Sequence, residues 1–553
     1  MPRLAVLTAA ILAVPLFAAP LFAEDPTEMA VEEISKLEVK EGDWPQWGGW
    51  SAKNNTPPGE NIPTEWSVEE GSEDVLWQMP LGSQTYGNPV VANGKVYVGT
   101  NNRHGYIARY PESVDLGCLV AFDSESGEFL WQHSSEKLPT GRVHDWPDQG
   151  ICCAPFVDGE RLWYVTSRGE VACLDTEGFK DGENDGPFKS EPNENGDEAD
   201  VIWSYDMMGK DAVSQHNMCS CSVTCMGDIL LVNTSNGVDE SHINIPSPNA
   251  PTFMAMDRNT GKVLWKDNTP GQNILHGQWS SPSYATIGGR AMAFFAGGDG
   301  WLYAFDPEGD GNGNSKLIWK FDCNPKDTKW ILGGRGTRNN LIGTPVIYED
   351  MVYIAVGQDP EHGEGIGHLW CIDPTGEGDV SPTLAKKDGE TIYPDRTKGD
   401  RRLQLLNPDA GETVEDNPNS KAVWHYTAAD RDGDEKVSFE EEMHRSCGTV
   451  CIKNDLLYIA DFSGLFHCLD AKTGEPHYTY DMLTAAWGSA LIVEDHVYVG
   501  NEDGYVLVFD LDPEASDPIA ENDMGNSVYS TPVVANNKLY IANKSTLYCI
   551  GSK

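Results

Sequence analysis

The chain has few basic residues for its length. Its 553 residues include 39 lysines and arginines against 86 aspartates and glutamates, a formal net charge of −47 at pH 7. Proteins that bind nucleic acids or anionic lipid surfaces need a basic footprint, because the phosphates must be neutralised. The composition therefore argues against both as partners. An acidic surface of this kind suits a solvated protein in an extracellular or saline setting.

Two further absences narrow the function classes. No G-x-S-x-G or H-E-x-x-H pattern occurs, so two common hydrolase signatures are missing. The 13 cysteines lack the C-x2-C spacing of a zinc knuckle. Cys173, Cys371, Cys468 and Cys549 instead fill a position of a repeat that alanine fills in other copies. This predicts packed thiols at these positions rather than a disulfide framework.

The N-terminus carries the only long apolar run. Residues 1–23 combine a basic residue, an apolar core and small residues before Glu24, which is typical of a secretory signal peptide. No later stretch is apolar enough to span a bilayer. The sequence predicts an exported protein, periplasmic or extracellular, that is not transmembrane after signal removal.

A repeat of roughly 40–50 residues organises the remainder. Each copy holds an apolar strand that ends in aspartate, a glycine turn and an aromatic residue, most clearly in LVAFDSESGEFLW (119–131), FMAMDRNTGKVLW (253–265) and FHCLDAKTGEPHY (466–478). Two shorter strands precede each copy, so one repeat has four strands, A to D. After an N-terminal extension at 24–72, residues 73–553 are predicted to form an all-β fold, a single eight-bladed β-propeller of four-stranded antiparallel blades.

The two ends of the repeat region complement each other. The first strand D, VLW at 75–77, has no strands A to C before it, and the last strand C, at 547–551, has no strand D after it. We therefore predict that the N-terminal strand completes the last blade and closes the ring.

Polar and aromatic residues recur just before strand A. In an up-and-down blade the D–A and B–C connections emerge on one face, and strand A lies innermost. Residues before strand A should thus surround the channel mouth, where they either plug the channel by hydrogen bonding or bind a small-molecule ligand or a protein or peptide. The predicted ligand-binding residues are His144, Trp146, His216, Asn217, His276, Trp279, Arg335, Arg338, His444, Arg445, Trp487 and Tyr529.

The insertion at 428–444 contains an EF-hand-like loop, DRDGDEKVSFEE (430–441). Position 6 carries Glu435 where glycine normally makes the turn, and an acidic surface loop is the alternative. The spacing predicts one calcium ion bound by Asp430, Asp432, Asp434, Lys436 through its carbonyl, Ser438 and Glu441.

With these motifs, the chain resembles the pyrroloquinoline-quinone (PQQ)-like repeat β-propellers of the quinoprotein alcohol dehydrogenase-like superfamily. The resemblance covers about residues 44–553 and rests on the repeated AFD/CLD-x-x-TG-x-x-W motif. Stretches such as DWPQWGG, HGQWSSP and GGDGWLYAFDP are similar to exported PQQ-like repeat proteins of planctomycetes. The superfamily includes calcium-dependent quinoprotein dehydrogenases and the assembly factor BamB, which binds no cofactor.

The resemblance implies two alternative functions. One is a BamB-like exported scaffold that binds a ligand or protein through its loop face. The other is a PQQ- and calcium-dependent dehydrogenase that oxidises an alcohol or sugar. In the enzymes a disulfide between adjacent cysteines lies over PQQ, and Cys152 and Cys153 form a candidate pair. Here Ala154-Pro155-Phe156 follows that pair, where the enzymes have an aspartate and an N-R-G stretch.

Overall fold

The computed structural model describes residues 25–551 except residues 335, 358, 364 and 432. The predicted signal peptide lies outside this part, and the division at residues 72 and 73 stays a prediction. The described part contains two α-helices, α1 (Pro26–Ile34) and α2 (Met207–Asp211). The Asp25 side chain caps α1 by accepting a hydrogen bond from the Thr27 N–H. Neither helix has the length and apolar character needed to cross a membrane.

Strands dominate the fold. The first half of the described chain forms β1 (Val75–Pro80), β2 (Val90–Ala92), β3 (Lys95–Asn101), β4 (Leu116–Asp123), β5 (Phe129–Glu136), β6 (Phe156–Asp158), β7 (Arg161–Val165), β8 (Glu170–Asp175), β9 (Val201–Asp206), β10 (Thr224–Met226), β11 (Ile229–Asn233), β12 (Phe253–Asp257), β13 (Val263–Asp267), β14 (Ser283–Ile287), β15 (Arg290–Ala296), β16 (Trp301–Phe305) and β17 (Leu317–Asp322). The second half forms β18 (Val346–Tyr348), β19 (Met351–Val356), β20 (His368–Ile372), β21 (Gly378–Asp379), β22 (Thr383–Lys387), β23 (Glu390–Thr391), β24 (Thr413–Asp416), β25 (Ala422–Tyr426), β26 (Cys451–Lys453), β27 (Leu456–Ala460), β28 (Leu465–Asp470), β29 (Pro476–Asp481), β30 (Leu491–Val493), β31 (His496–Gly500), β32 (Tyr505–Asp510), β33 (Ala520–Asp523), β34 (Val533–Ala535), β35 (Lys538–Ala542) and β36 (Thr546–Ile550).

Over the described ranges these strands form repeated antiparallel sheets built on four strands each. In chain order they are sheet 1 (β2–β5), sheet 2 (β6–β9), sheet 3 (β10–β13), sheet 4 (β14–β17), sheet 5 (β18–β20 and β25), sheet 6 (β26–β29), sheet 7 (β30–β33) and sheet 8 (β34–β36 and β1). The all-β, four-stranded organisation of a propeller is thus confirmed. One feature was not predicted: between β20 and β25 the chain adds β21 to the edge of sheet 4 and forms a small sheet from β22, β23 and β24.

An aromatic residue of strand D packs across to the next sheet. The indole N–H groups of Trp77, Trp131, Trp203, Trp265, Trp319 and Trp424 donate to carbonyls of Ser124, Thr176, Arg258, Pro307, Pro374 and Ala471, which lie at the C–D turns of the following sheets. Each tryptophan lies directly opposite an alanine or cysteine of strand C, as Trp131 does opposite Ala121 and Trp424 opposite Cys371. A small residue there leaves room for the indole, which explains the shared repeat position.

Hydrogen bonds at the start of the inner strands also link successive sheets. In each link a backbone N–H of one sheet donates to a side-chain oxygen of the following sheet. The donor and acceptor pairs are Ala154 and Ser222, Ser222 and Ser281, Thr344 and Thr449, Thr449 and Ser489, Ser489 and Thr531, and Thr531 and Asn88. The Ser280 hydroxyl donates to the Gly343 carbonyl and joins sheets 4 and 5. These hydrogen bonds join sheets 2 to 8 in chain order, and the bond from Thr531 to Asn88 joins sheet 8 to sheet 1.

The N-terminal extension covers the far ends of the inner strands. We call residues 42–56 the N-terminal plug. Its oxygens accept backbone N–H hydrogen bonds from seven sheets, at Val91, Val157, Tyr284, Ile347, Ile452, Ile492 and Asn536. Lys53 is fully buried, and its ammonium donates to Gln46 Oε1 (2.8 Å) and the Trp47 carbonyl (3.2 Å). Burial lowers the Lys53 pKa to about 7.

Candidate functional site

A cavity of about 360 Å³ opens where the inner strands begin, on the side away from the N-terminal plug. We call it the axial cavity. Its lining comes mainly from residues that precede strand A: Gln84, Tyr86, Trp146, Gln149, Cys152, Asn217, Met218, Ser220, His276, Trp279, Ile342, Asp359, Pro360, Glu361, Cys447 and Trp487. Of the predicted site residues, Trp146, Asn217, His276, Trp279 and Trp487 are therefore brought together here.

The cavity continues inward to the plug. A second space of about 180 Å³ shares Tyr86, Cys152, Trp279 and Trp487 with the axial cavity and extends to Trp47. Tyr529, another predicted residue, lines this deeper part. Trp47 Nε1 donates to Thr344 Oγ1 (3.3 Å) and so fixes the plug side chain that forms the floor.

One wall of the axial cavity is aromatic. Tyr86 stacks on Tyr529 with ring centroids 4.7 Å apart, and Trp487 meets Tyr86 edge-on at 5.4 Å. The Trp487 Nε1 atom is buried without a hydrogen-bond partner. The opposite wall carries Trp279, whose Nε1 donates to the His216 carbonyl (3.1 Å). The cavity thus offers flat apolar surfaces to a ligand.

Four histidines and two carboxylates lie at the rim. We call His216, His242, His276, Asp359, Glu361 and His362 the histidine cluster. The ring centroids of His216 and His276 are 4.4 Å apart, and those of His242 and His276 are 4.6 Å apart. His276 Nδ1 lies 3.0 Å from Asp359 Oδ2, and His276 Nε2 lies 3.3 Å from Glu361 Oε2. D–A connections supply His216 and His276, and B–C connections supply the others.

The surroundings shift the pKa values of the two central imidazoles, His216 and His276, in opposite directions. Burial and the neighbouring His276 lower the pKa of His216 to about 3, so its ring is neutral at neutral pH. Burial also opposes protonation of His276, but Asp359 and Glu361 outweigh it and raise the His276 pKa to about 9. Burial alone would raise the pKa of Asp359, yet His276 and His362 hold it well below its ordinary value.

Two predicted arginines do not line the cavity. Arg338 is buried with its Nη1 3.8 Å from Asp322 Oδ1, and its Nη2 donates to the Asp299 carbonyl. Arg445 Nη1 donates to the carbonyls of Asp359, Pro360 and Gly363. Their guanidinium groups contact oxygens of the protein, and ligand binding by Arg338 and Arg445 stays a prediction. Arg335 lies outside the described residues.

Two predicted histidines also lie apart from the lining. His444 stacks on Phe439 at 4.1 Å, and its Nε2 bonds the Phe439 carbonyl (3.0 Å) within the 428–444 insertion. His144 Nδ1 bonds Thr140 Oγ1, and its Nε2 bonds Ser214 Oγ. Each ring already has a partner in its own or the adjacent connection, and neither residue is part of the lining of the axial cavity.

The sequence-based prediction missed four cluster residues. His242, Asp359, Glu361 and His362 lie in the long B–C connections of sheets 3 and 5. The 3₁₀ turn Pro360–His362 is capped by Asp359, whose side chain accepts from the Glu361 N–H (3.1 Å). The sequence did contain a signal for these residues: both long B–C connections carry a histidine, and they emerge on the face that carries His216 and His276.

Cys152 and Cys153 are both free thiols in the structure. Cys152 Sγ lies 3.6 Å from Met218 Sδ at the cavity, whereas Cys153 Sγ bonds the Val165 carbonyl at 3.1 Å inside sheet 2. Burial raises the pKa of the Cys152 thiol to about 12. The vicinal disulfide stays a prediction.

The EF-hand-like loop is held by its own carboxylates. Glu441 accepts from the Arg431 and Ser438 N–H groups (2.7 and 3.0 Å), and Asp430 accepts from the Gly433 and Glu435 N–H groups. Glu435 has φ of +66°, the left-handed conformation that glycine supplies at this position of a calcium loop. Asp432 lies outside the described residues, and calcium binding by Asp430, Asp434, Lys436, Ser438 and Glu441 stays a prediction.

Glu441→Gln is expected to weaken calcium binding at least about tenfold, because a loop of this kind depends on a bidentate carboxylate at its twelfth position. Calorimetric titration of both proteins measures the change, starting from a dissociation constant of about 10⁻⁴–10⁻³ M. The exposed neighbour Glu440→Gln is the control and should bind like the parent. Identical titrations of the parent and E441Q proteins would contradict the assignment.

Sequence comparison agrees with the architecture. Repeated four-stranded antiparallel sheets around a common cavity define a β-propeller. Residues 399–516 match the family model for outer membrane protein assembly factor BamB. The dehydrogenase subunits of alcohol dehydrogenase (quinone) from Komagataeibacter europaeus and Gluconacetobacter polyoxogenes are each 25% identical, over 267 and 266 residues. These matches support a PQQ-like repeat propeller.

These matches are partial. The alignments cover 43% of this chain and 32% of each dehydrogenase subunit, so the chain spans about a third of the length of these curated relatives. The crystal structure of BamB from Moraxella catarrhalis is 14% identical with a TM-score of 0.45, and it covers 86% of this chain and 96% of that one.

The described lining of the axial cavity does not fit PQQ. PQQ is a flat ring system with three carboxylates, and the aromatic walls would accept its rings. Yet the charged side chains of the described lining are Asp359, Glu361 and His276, with no lysine or arginine among them. Two carboxylates beside three more would repel, because like charges in a partly desolvated site are costly.

Proposed function

We propose that this protein is an exported propeller that binds a small ligand in the axial cavity, as a binding scaffold. The observation that carries the proposal is the cavity itself, with Tyr86 and Trp487 on one wall and Trp279 on the other. Cavities of a few hundred Å³ with aromatic walls and a few fixed polar groups are typical of ligand sites. The apolar run at residues 1–23 supports export.

The polar groups of the lining indicate the chemistry of the ligand. Gln84, Gln149 and Asn217 offer amides, and Asp359 and Glu361 offer carboxylates, so acceptors and donors of hydrogen bonds are both present. This set suits hydroxyl groups, and the aromatic walls suit a flat apolar ring face. A sugar unit combines both features, so we infer a neutral polyhydroxylated ligand.

The proposed scaffold is a ring of eight blades closed by β1. Three observations support it: β1 pairs with β36 from Val75 opposite Ile550 to Pro80 opposite Thr546, Trp77 contacts the carbonyl of Ser124 in sheet 1, and the Thr531 N–H bonds Asn88. The first contact places the N-terminal strand in sheet 8, and the other two join sheet 8 to sheet 1.

A quinone-dependent alcohol or sugar dehydrogenase is the second candidate. The similarity to alcohol dehydrogenase (quinone) subunits favours it, and the flat cavity walls are compatible with a ring cofactor. The carboxylates of the lining oppose it. Incubation with PQQ and calcium, followed by the absorption spectrum of the bound quinone and a dye-linked dehydrogenase assay, separates the two functions.

Trp146→Ala is expected to weaken sugar binding by about tenfold or more, because one stacking aromatic contributes about 1–3 kcal/mol when it is lost. Trp146 lines the cavity and is only partly buried, so the fold should persist. Binding is measured by tryptophan fluorescence with a panel of mono- and oligosaccharides, and with PQQ and citrate as anionic probes.

The exposed aromatic Tyr393→Ala is the matched control and should leave binding unchanged. Saturable binding of the anionic probes with no response to any sugar would contradict the inferred ligand class. Binding of both classes that is insensitive to W146A would contradict the cavity as the site.

A further inference from the structure

We propose that His216, His242, His276 and Glu361 bind one divalent first-row transition-metal ion at the rim of the axial cavity. This goes beyond the ligand site above and does not depend on which ligand the cavity takes. One ligand atom from each of the four residues lies within 4.8 Å of the others. A tetrahedral zinc site with bonds of about 2.0–2.1 Å needs ligand atoms about 3.4 Å apart. Rotamer adjustments on the order of 1 Å would therefore complete the site.

His216 presents a lone pair with no partner. Its Nδ1 lies 2.8 Å from the Val238 carbonyl, an acceptor, so Nδ1 carries the proton and Nε2 carries the lone pair. The His216 side chain is 99% buried, and its Nε2 has no hydrogen-bond partner. A buried acceptor without a donor is costly. A metal ion would supply the missing electrophile at that atom.

His276 is oriented in the way metal-bound histidines are. Its Nδ1 lies 3.0 Å from Asp359 Oδ2, which directs Nε2 towards Glu361 Oε2 at 3.3 Å. Carboxylate partners of this kind fix the tautomer and increase the basicity of the coordinating nitrogen. Asp359 also contacts His362 Nδ1 at 2.8 Å, and Arg445 holds the backbone carbonyls of the same turn. The supporting shell of a metal site is thus present.

The type of donor atom favours a transition metal over calcium. Three imidazoles and one carboxylate are ligands that zinc, copper, iron and nickel prefer, whereas calcium takes oxygen donors. Histidine packing alone would leave the lone pair of His216 buried and unused. His276 and Glu361 also line the axial cavity, so one side of the ion would face the ligand space.

The test uses untagged full-length protein that has been stripped with a chelator. Zn²⁺ titration by calorimetry is expected to show one tight site, with Co²⁺ giving the visible absorption of a nitrogen-ligated, low-coordinate ion. His242→Gln and Glu361→Gln should each weaken Zn²⁺ binding by about a hundredfold. Both residues are partly exposed, so these variants should fold, which circular dichroism and thermal melting check.

His477→Gln, an exposed histidine outside the cluster, is the matched control and should bind Zn²⁺ like the parent. Calcium in millimolar excess should not displace Zn²⁺. X-ray absorption of the zinc-loaded protein should report about three imidazoles, and this readout stands even if one variant fails to fold. Absence of a tight site in the parent, or equal affinity in H242Q, E361Q and the parent, would overturn the proposal.

Discussion

Trp44→Ala is expected to lower the free energy of unfolding by about 3–5 kcal/mol, the usual cost of removing a large buried aromatic side chain. Trp44 is 1% exposed in the N-terminal plug, and its Nε1 donates to Asn55 Oδ1 (3.1 Å). Asn55 in turn donates to the Ala490 and Pro532 carbonyls of sheets 7 and 8. Losing the indole therefore leaves a void and a buried acceptor without its donor.

Chemical denaturation with fluorescence and circular dichroism measures this effect. Gly49→Ala gives an independent variant of the same contact, since a Cβ there would lie 2.1 Å from the Trp44 ring and φ is +75°. Val31→Ala, an exposed position of the same N-terminal extension, is the control and should stay within about 0.5 kcal/mol. If W44A unfolded at the parent's denaturant midpoint, the plug would not be part of the stable core.

Trp77→Ala is expected to destabilise the protein by a similar amount, about 3–5 kcal/mol, if β1 closes the ring. Trp77 packs between sheets 8 and 1, with Tyr540 at 6.0 Å and with Gly127 under its ring, where a Cβ would lie 2.8 Å away. Trp77→Phe keeps most of the packing but loses the hydrogen bond to Ser124, and should cost about 1 kcal/mol beyond the lost ring area.

The matched comparison is Trp131→Ala, which occupies the equivalent position between sheets 1 and 2. Comparable losses of unfolding free energy in W77A and W131A would mean that the contact between sheets 8 and 1 stabilises the fold as much as the contact between sheets 1 and 2. A neutral W77A beside a strongly destabilised W131A would place the N-terminal strand outside the stable ring.

The repeat made the sheets predictable from sequence. In most sheets an aspartate and a glycine turn follow strand C, and the aromatic residue of strand D lies opposite an alanine or cysteine, because the same packing recurs from sheet to sheet. The same register predicts that Trp146, His276, Trp279 and Trp487 surround one cavity, and these four residues line the axial cavity.

Features outside the repeat were not predictable in the same way. His242 and Glu361 lie in connections whose path depends on single contacts, such as the Arg445 hydrogen bonds to the 359–363 carbonyls. Residues 42–56 have no periodic pattern, and their three tryptophans are the one feature of this segment that indicates burial. The Arg338 guanidinium lies beside Asp322 of strand D, and the repeat pattern gives no indication of this contact.

The plug also bears on the order in which the molecule can form. Asp43 accepts a hydrogen bond from Asn536, a residue 493 positions later. The N-terminal plug therefore cannot complete its contacts until sheet 8 has been synthesised. Closing so long a loop is entropically costly and slows folding, and β1 must wait unpaired until β36 exists. An unpaired strand is a template for aggregation, so β1 is open to pairing with other chains until β36 has been synthesised.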